Sequence, residues 1–139
     1  MNRVVYFSRG GNTKKLAEAI AKGAGAEALS AEQAGDVAGT DTLFVGASIY
    51  AGSIDAKLRH FLEGLDAQQV KRVVVFGTSA GKNTALAEIK AILQPGGIPV
   101  ADAEFHCKGA FLVAHRGHPD ADDLARAEAF AKQMSGDAV

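Results

Sequence analysis

Residues 5–20, VYFSRGGNTKKLAEAI, decide the fold. Val4 joins Val5, Tyr6 and Phe7 in a continuous apolar run, the pattern of a short strand covered on both faces. A turn holding Ser8, Gly10, Gly11, Asn12 and Thr13 follows, with Arg9 its only charge. From about Thr13 to Lys22 the spacing becomes helical, with Leu16 and Ile20 one turn apart. Such a turn is either a plain connection, with Asn12 or Thr13 capping the helix, or a cradle for an anion. Glycines let the backbone come close to a ligand, and the first N–H groups of a helix have no partners within it.

Outward from this unit the alternation repeats. Residues 26–30 read as a weak second strand and 42–49, TLFVGASI, as a stronger third. A helix over about 55–65 carries Leu58, Phe61, Leu62 and Leu65 on one side. RVVVFG, 72–77, is a fourth buried strand, and 83–93 a helix stopped by Pro95-Gly96-Gly97. A fifth strand falls within 98–107, and a last helix runs over about 120–134. This pattern predicts an α/β fold in one domain over residues 1–139, a doubly wound, five-stranded parallel sheet with helices on both faces. The strand order it suits is 2-1-3-4-5, whose ligand crevice lies at the carboxyl ends of strands one and three. The loops there are 8–13 and 48–53, both rich in small and polar residues.

Composition narrows the function classes. The 139 residues carry 15 basic and 16 acidic side chains, a net charge of −1, and neither half of the chain is a basic arm or acidic tail. A nucleic-acid partner is therefore not expected, since it needs a concentrated positive face. No apolar run approaches the roughly 20 residues of a membrane span, and the chain enters a strand at once without a leader pattern. The single Cys107 has no partner for an internal disulfide. Together these give the expectation of a cytoplasmic protein with no membrane insertion.

Ser8-Arg9-Gly10-Gly11-Asn12-Thr13 resembles the phosphate loop of the flavodoxins, Thr/Ser-x-Thr-Gly-Asn-Thr. GASIYAGSI, 46–54, resembles the second flavin loop of short-chain flavodoxins, and the tail FHCKGAF…GHPDADDLARAEAFAK is also similar to that family. Flavodoxin is itself the standard instance of the 2-1-3-4-5 order with FMN at the strand 1/3 switch point. The resemblance implies that Ser8, Gly11, Asn12 and Thr13 hold the FMN phosphate, with Arg9 adding charge. Gly10 departs from the pattern, because the family usually has a hydroxyl there. Ser48, Ile49 and Ala51 would meet the ribityl chain and its surroundings, and Tyr50 would lie against the isoalloxazine ring. Gly52 would permit the peptide flip that flavodoxins use on reduction. The third region, GTSAGKN at 77–83, would contribute Thr78, Ser79 and Gly81, and it lacks the aromatic residue frequent in the family.

Rival motifs fail on spacing. Only three residues separate Gly77 from Gly81, and Asn83 replaces the hydroxyl that a nucleoside-triphosphate loop needs. No G-x-G-x-x-G follows strand one, which removes a dinucleotide site, and Ala47-Ser48 stands where a phosphorelay receiver has its aspartate. His115 and His118 make a poor metal pair, and no metal is expected. Asp120, Asp122 and Asp123 read as a helix cap with first-turn acids, Cys107 as a buried filler, and His60 as a solvent-side residue. The reading is an FMN-binding electron carrier moving one electron at a time between redox partner proteins, rather than a stand-alone enzyme. No residue is assigned a catalytic role, since the chemistry would be the cofactor's. The alternatives are an FMN-dependent oxidoreductase taking a quinone, a porphyrinogen or a similar planar substrate, and a flavin-free interaction module on the same fold.

Overall fold

The computed structural model describes residues 1–8, 11–49, 53–79, 85–108 and 119–136. Five strands lie parallel in the order β2-β1-β3-β4-β5: β1 (Asn2–Tyr6), β2 (Ala28–Ser30), β3 (Thr40–Ser48), β4 (Val70–Ser79) and β5 (Val100–Lys108). Helices α1 (Asn12–Ala24), α2 (Ala56–Glu63), α3 (Leu86–Leu93) and α4 (Ala121–Gly136) alternate with them, and a 3₁₀ turn over Gln94–Gly96 closes α3.

The apolar runs are continuous because each strand is buried on both sides. Side chains alternate along a strand, so each run divides between two cores. Val5, Leu43, Val45, Val73 and Val75 face Leu58 and Leu62 of α2 and Ile89 and Leu93 of α3. Val4, Tyr6, Phe44, Val74 and Phe76 face Leu16, Ala17 and Ile20 of α1 and Ala127 and Ala131 of α4. The helical periodicity in the sequence thus reports which side chains meet the sheet.

Boundaries differ locally from expectation. β1 ends at Tyr6, although the Phe7 N–H still donates to the Gly46 carbonyl at 3.2 Å. β2 shrinks to three half-buried residues, as befits a short edge strand. β4 runs over ten residues, longer at both ends than its apolar centre. α2 begins one residue after Asp55, whose carboxylate caps it by accepting from the Lys57 N–H at 2.8 Å. At the opposite end of the sheet from the carboxyl ends of the strands, Arg72 donates to Thr42 Oγ1 at 3.0 Å and to the Met134 carbonyl, tying α4 to β3 and β4. Among the described residues no helix is long and apolar enough to cross a membrane.

Candidate functional site

β1 stands between β2 and β3, so the chain order reverses at β1 and β3 and their carboxyl ends open a crevice. The turn from β1 delivers α1 there with an unusual start. Its N-cap is Gly11, at φ +85°, and among the described residues no side-chain capping bond is made there. That conformation favours glycine, and a Cβ built on Gly11 would meet none of the described atoms within 4 Å. The Gly11 N–H donates to Ser8 Oγ at 2.9 Å, and the first helical bond runs from the Lys15 N–H to the Gly11 carbonyl at 3.1 Å. Neither Asn12 nor Thr13 is therefore the cap.

Charge sharpens the contrast. α1 has no acidic residue in its first turn; Lys14 and Lys15 stand there, both exposed. A helix N-terminus carries partial positive charge and is stabilised by anions. α4 follows that rule through a reciprocal cap: the Asp123 N–H donates to Asp120 Oδ1 at 2.9 Å, and the Asp120 N–H donates to Asp123 Oδ2 at 3.0 Å. α1 inverts it, placing lysines rather than acids in its first turn at the switch point.

Beneath this end three hydroxyls converge. Thr13 Oγ1 bonds Ser48 Oγ and lies 3.0 Å from Thr78 Oγ1, while Ser48 and Thr78 are 3.5 Å apart. Thr13 is 0% and Thr78 3% exposed while Ser48 is half-buried, and the cluster ties the ends of β3 and β4 to the first turn of α1. A buried hydroxyl needs such partners, because leaving it unbonded costs about 1–3 kcal/mol.

Of the residues singled out from sequence, Ser8, Gly11, Asn12, Thr13, Ser48 and Thr78 thus gather at the carboxyl ends of β1, β3 and β4 or in the turn above them. Ile49 is adjacent, but its side chain packs on the α2/α3 core while its N–H donates to the Thr78 carbonyl at 3.2 Å. Ser79 is the last residue of β4. Arg9, Gly10, Tyr50, Ala51, Gly52 and Gly81 lie outside the described residues, as do Lys82, His115 and His118. Two further contacts carry no sequence motif: the hydroxyl cluster itself, and the grip of Glu88 on Ser53 and Ile54. Their only signal is a hydroxyl at each strand end and an acid early in α3.

Nearby features take structural roles. Lys57 pairs with Glu32 at 3.4 Å and Arg59 pairs with Glu88, so each of these two cations has a local acidic partner. A groove of about 630 Å³ lies between residues 31–37 and α2 and shares none of the candidate residues. Cys107 is buried, and its thiol is pushed up to about 12, first by burial and then by the charge of Asp123. The thiol therefore stays protonated and poorly reactive at pH 8. Alkylation at pH 8 is expected to be negligible in the folded chain and complete in denaturant. Since the unfolded thiol ionises first, its contribution to stability falls as pH rises from 9 toward 12. Rapid labelling of the folded chain would contradict this placement.

Comparison with known proteins agrees with the architecture. No curated protein matches the chain. The fold is similar to a flavodoxin from the domain Archaea, at 21% identity and TM-score 0.75, covering 99% of this chain and 97% of that one. It is similar to a short-chain flavodoxin associated with a PDU bacterial microcompartment, at 18% identity and TM-score 0.77, covering 100% and 99%. It also resembles the rubredoxin oxygen:oxidoreductase of the anaerobe Desulfovibrio gigas, at 17% identity and TM-score 0.75, covering 99% of this chain but only 35% of that one. The family model of the flavodoxin domain matches residues 3–101, well over half of the chain. With α1, β3, β4 and all of β1 but Asn2 inside that match, the chain belongs to the flavodoxin domain family.

Proposed function

We propose that this chain binds FMN at the carboxyl ends of β1, β3 and β4 and carries electrons singly between redox partner proteins. The observation that carries the reading is the start of α1, which begins at Gly11 with no side-chain capping bond among the described residues and is flanked by Lys14 and Lys15 with no acid in its first turn. A phosphate fits such a helix end, because the first N–H groups of a helix have no partners within it and the helix dipole favours an anion there. Ser8 holds the turn in shape through the Gly11 N–H. The Thr13–Ser48–Thr78 cluster fixes the floor on which the ribityl chain would lie. When bound, FMN supplies the electron chemistry, and the chain binds it, orients it and limits its contact with water. By sequence, Arg9 and Gly10 belong to the phosphate side, Ala51 to the ribityl chain, and Tyr50, Gly52, Ser79 and Gly81 to the ring side.

The test is a titration followed by stepwise reduction. FMN should be taken up to one equivalent, with its fluorescence quenched. Anaerobic reduction, followed by visible absorbance, should resolve two one-electron steps. Passage in a single two-electron step would favour the oxidoreductase reading on the same site. A chain that takes up no FMN would overturn the proposal and leave the flavin-free module.

A further inference from the structure

Residues 50–52 are bracketed by two fastenings. On one side the Ile49 N–H donates to the Thr78 carbonyl at 3.2 Å, at the end of β4. On the other, the Glu88 carboxylate accepts from the Ile54 N–H at 3.0 Å and from the Ser53 hydroxyl at 2.9 Å. Arg59 of α2 also donates to Glu88, and lies 3.4 Å from Ser53 Oγ. Thr78 and Glu88 stand on either side of residues 80–84. The ends of the second loop are thus tied to the two elements that flank the third.

Glu88 is well suited to this. It occupies the first turn of α3, where the helix dipole favours a carboxylate, yet the N-cap of that helix, Ala85, makes no side-chain capping bond. Its side chain is 22% exposed and serves three donors, all outside its own helix and two of them on the 53–54 segment. Bonds to a charged acceptor are the stronger class, so one side chain can fix a loop end. We propose that Glu88 is a positioning residue, which sets where Ser53 and Ile54 stand relative to β4 and α3 and thereby supports flavin binding at the carboxyl ends of β3 and β4. The proposal rests on the FMN reading but separates from the phosphate end: losing Glu88 should affect FMN and riboflavin equally.

Glu88→Ala, Glu88→Gln and the parent chain would be compared by amide hydrogen exchange without ligand, by titration with both flavins, and by urea unfolding. Glu88→Ala should speed exchange of the Ile54 amide at least tenfold and weaken both flavins by a common factor of about ten, the scale of a lost charge-assisted bond. Glu88→Gln retains a carbonyl acceptor for the Ile54 N–H but loses the charge and one acceptor oxygen, and should recover the protection and affinity only in part. If the urea midpoint falls while Ile54 exchange and flavin affinity hold, Glu88 is merely structural and the proposal is overturned. A loss confined to FMN would overturn it as well. A parent chain that takes up neither flavin would instead overturn the FMN reading, and the exchange measurement would still report whether Glu88 holds Ile54.

Discussion

Riboflavin is expected to bind this chain about a hundredfold more weakly than FMN. The two ligands differ only in the phosphate, so their ratio isolates the start of α1. A hydrogen bond to a charged group contributes about 1.5–3 kcal/mol. Two such bonds from first-turn N–H groups or neighbouring side chains give roughly 3 kcal/mol, a factor of about 100 in affinity. Asn12→Ala should reduce that ratio by weakening FMN alone. Thr13→Ala should weaken both ligands, because the Thr13 hydroxyl is spent on Ser48 and Thr78. Lys14→Glu gives opposite signs in one variant. It should stabilise the ligand-free chain by on the order of 0.5 kcal/mol, since an acid suits a helix N-terminus, while lowering FMN affinity several-fold. Damage to the fold cannot produce that pair of results. Equal affinity for FMN and riboflavin would remove the phosphate from the site.

The fold was legible because it rests on two strong periodicities. Val4–Tyr6, Leu43–Val45 and Val73–Phe76 are uniformly apolar since both sheet faces are covered, and Leu16/Ile20 and Leu58/Leu62 mark the helix stripes that cover them. The order of the strands placed the crevice, and the loop SRGGNT gave it a chemical character. What escaped is set by pairs distant in the chain. Thr13 meets Thr78 across 65 positions and Ser53 meets Glu88 across 35, contacts that no local spacing encodes. The charges near the crevice were also only half legible: Lys57 and Arg59 were visible as cations, but their partners Glu32 and Glu88 come from other elements. The cap of α1 escaped for another reason. A glycine is an ordinary N-cap, but it brings no side-chain acceptor to the first-turn N–H groups, an arrangement accounted for if a ligand supplies the anion.

Gly77→Ala is expected to cost about 3 kcal/mol of stability and to lower Tm by roughly 10 °C, a large part of the margin of an ordinary domain. Gly77 lies in β4 in register with Ala47 of β3, next to the strand ends that build the crevice. A Cβ built there would sit 2.3 Å from the Ala47 carbonyl oxygen and 3.3 Å from its carbon. Those atoms are backbone in the middle of the sheet, so relief requires the two strands to separate locally rather than a side chain to turn. The separation would act on the next residue, Thr78, which bonds Thr13 through its hydroxyl and Ile49 through its carbonyl. Stability and flavin affinity should therefore fall together, for FMN and riboflavin alike. Gly35→Ala is the control, because its Cβ would meet no described atom within 4 Å, and it should stay within about 0.5 kcal/mol of the parent. Urea unfolding of the two variants beside the parent chain decides the matter: a Gly77→Ala chain as stable as Gly35→Ala would mean that β3 and β4 do not approach so closely at their carboxyl ends.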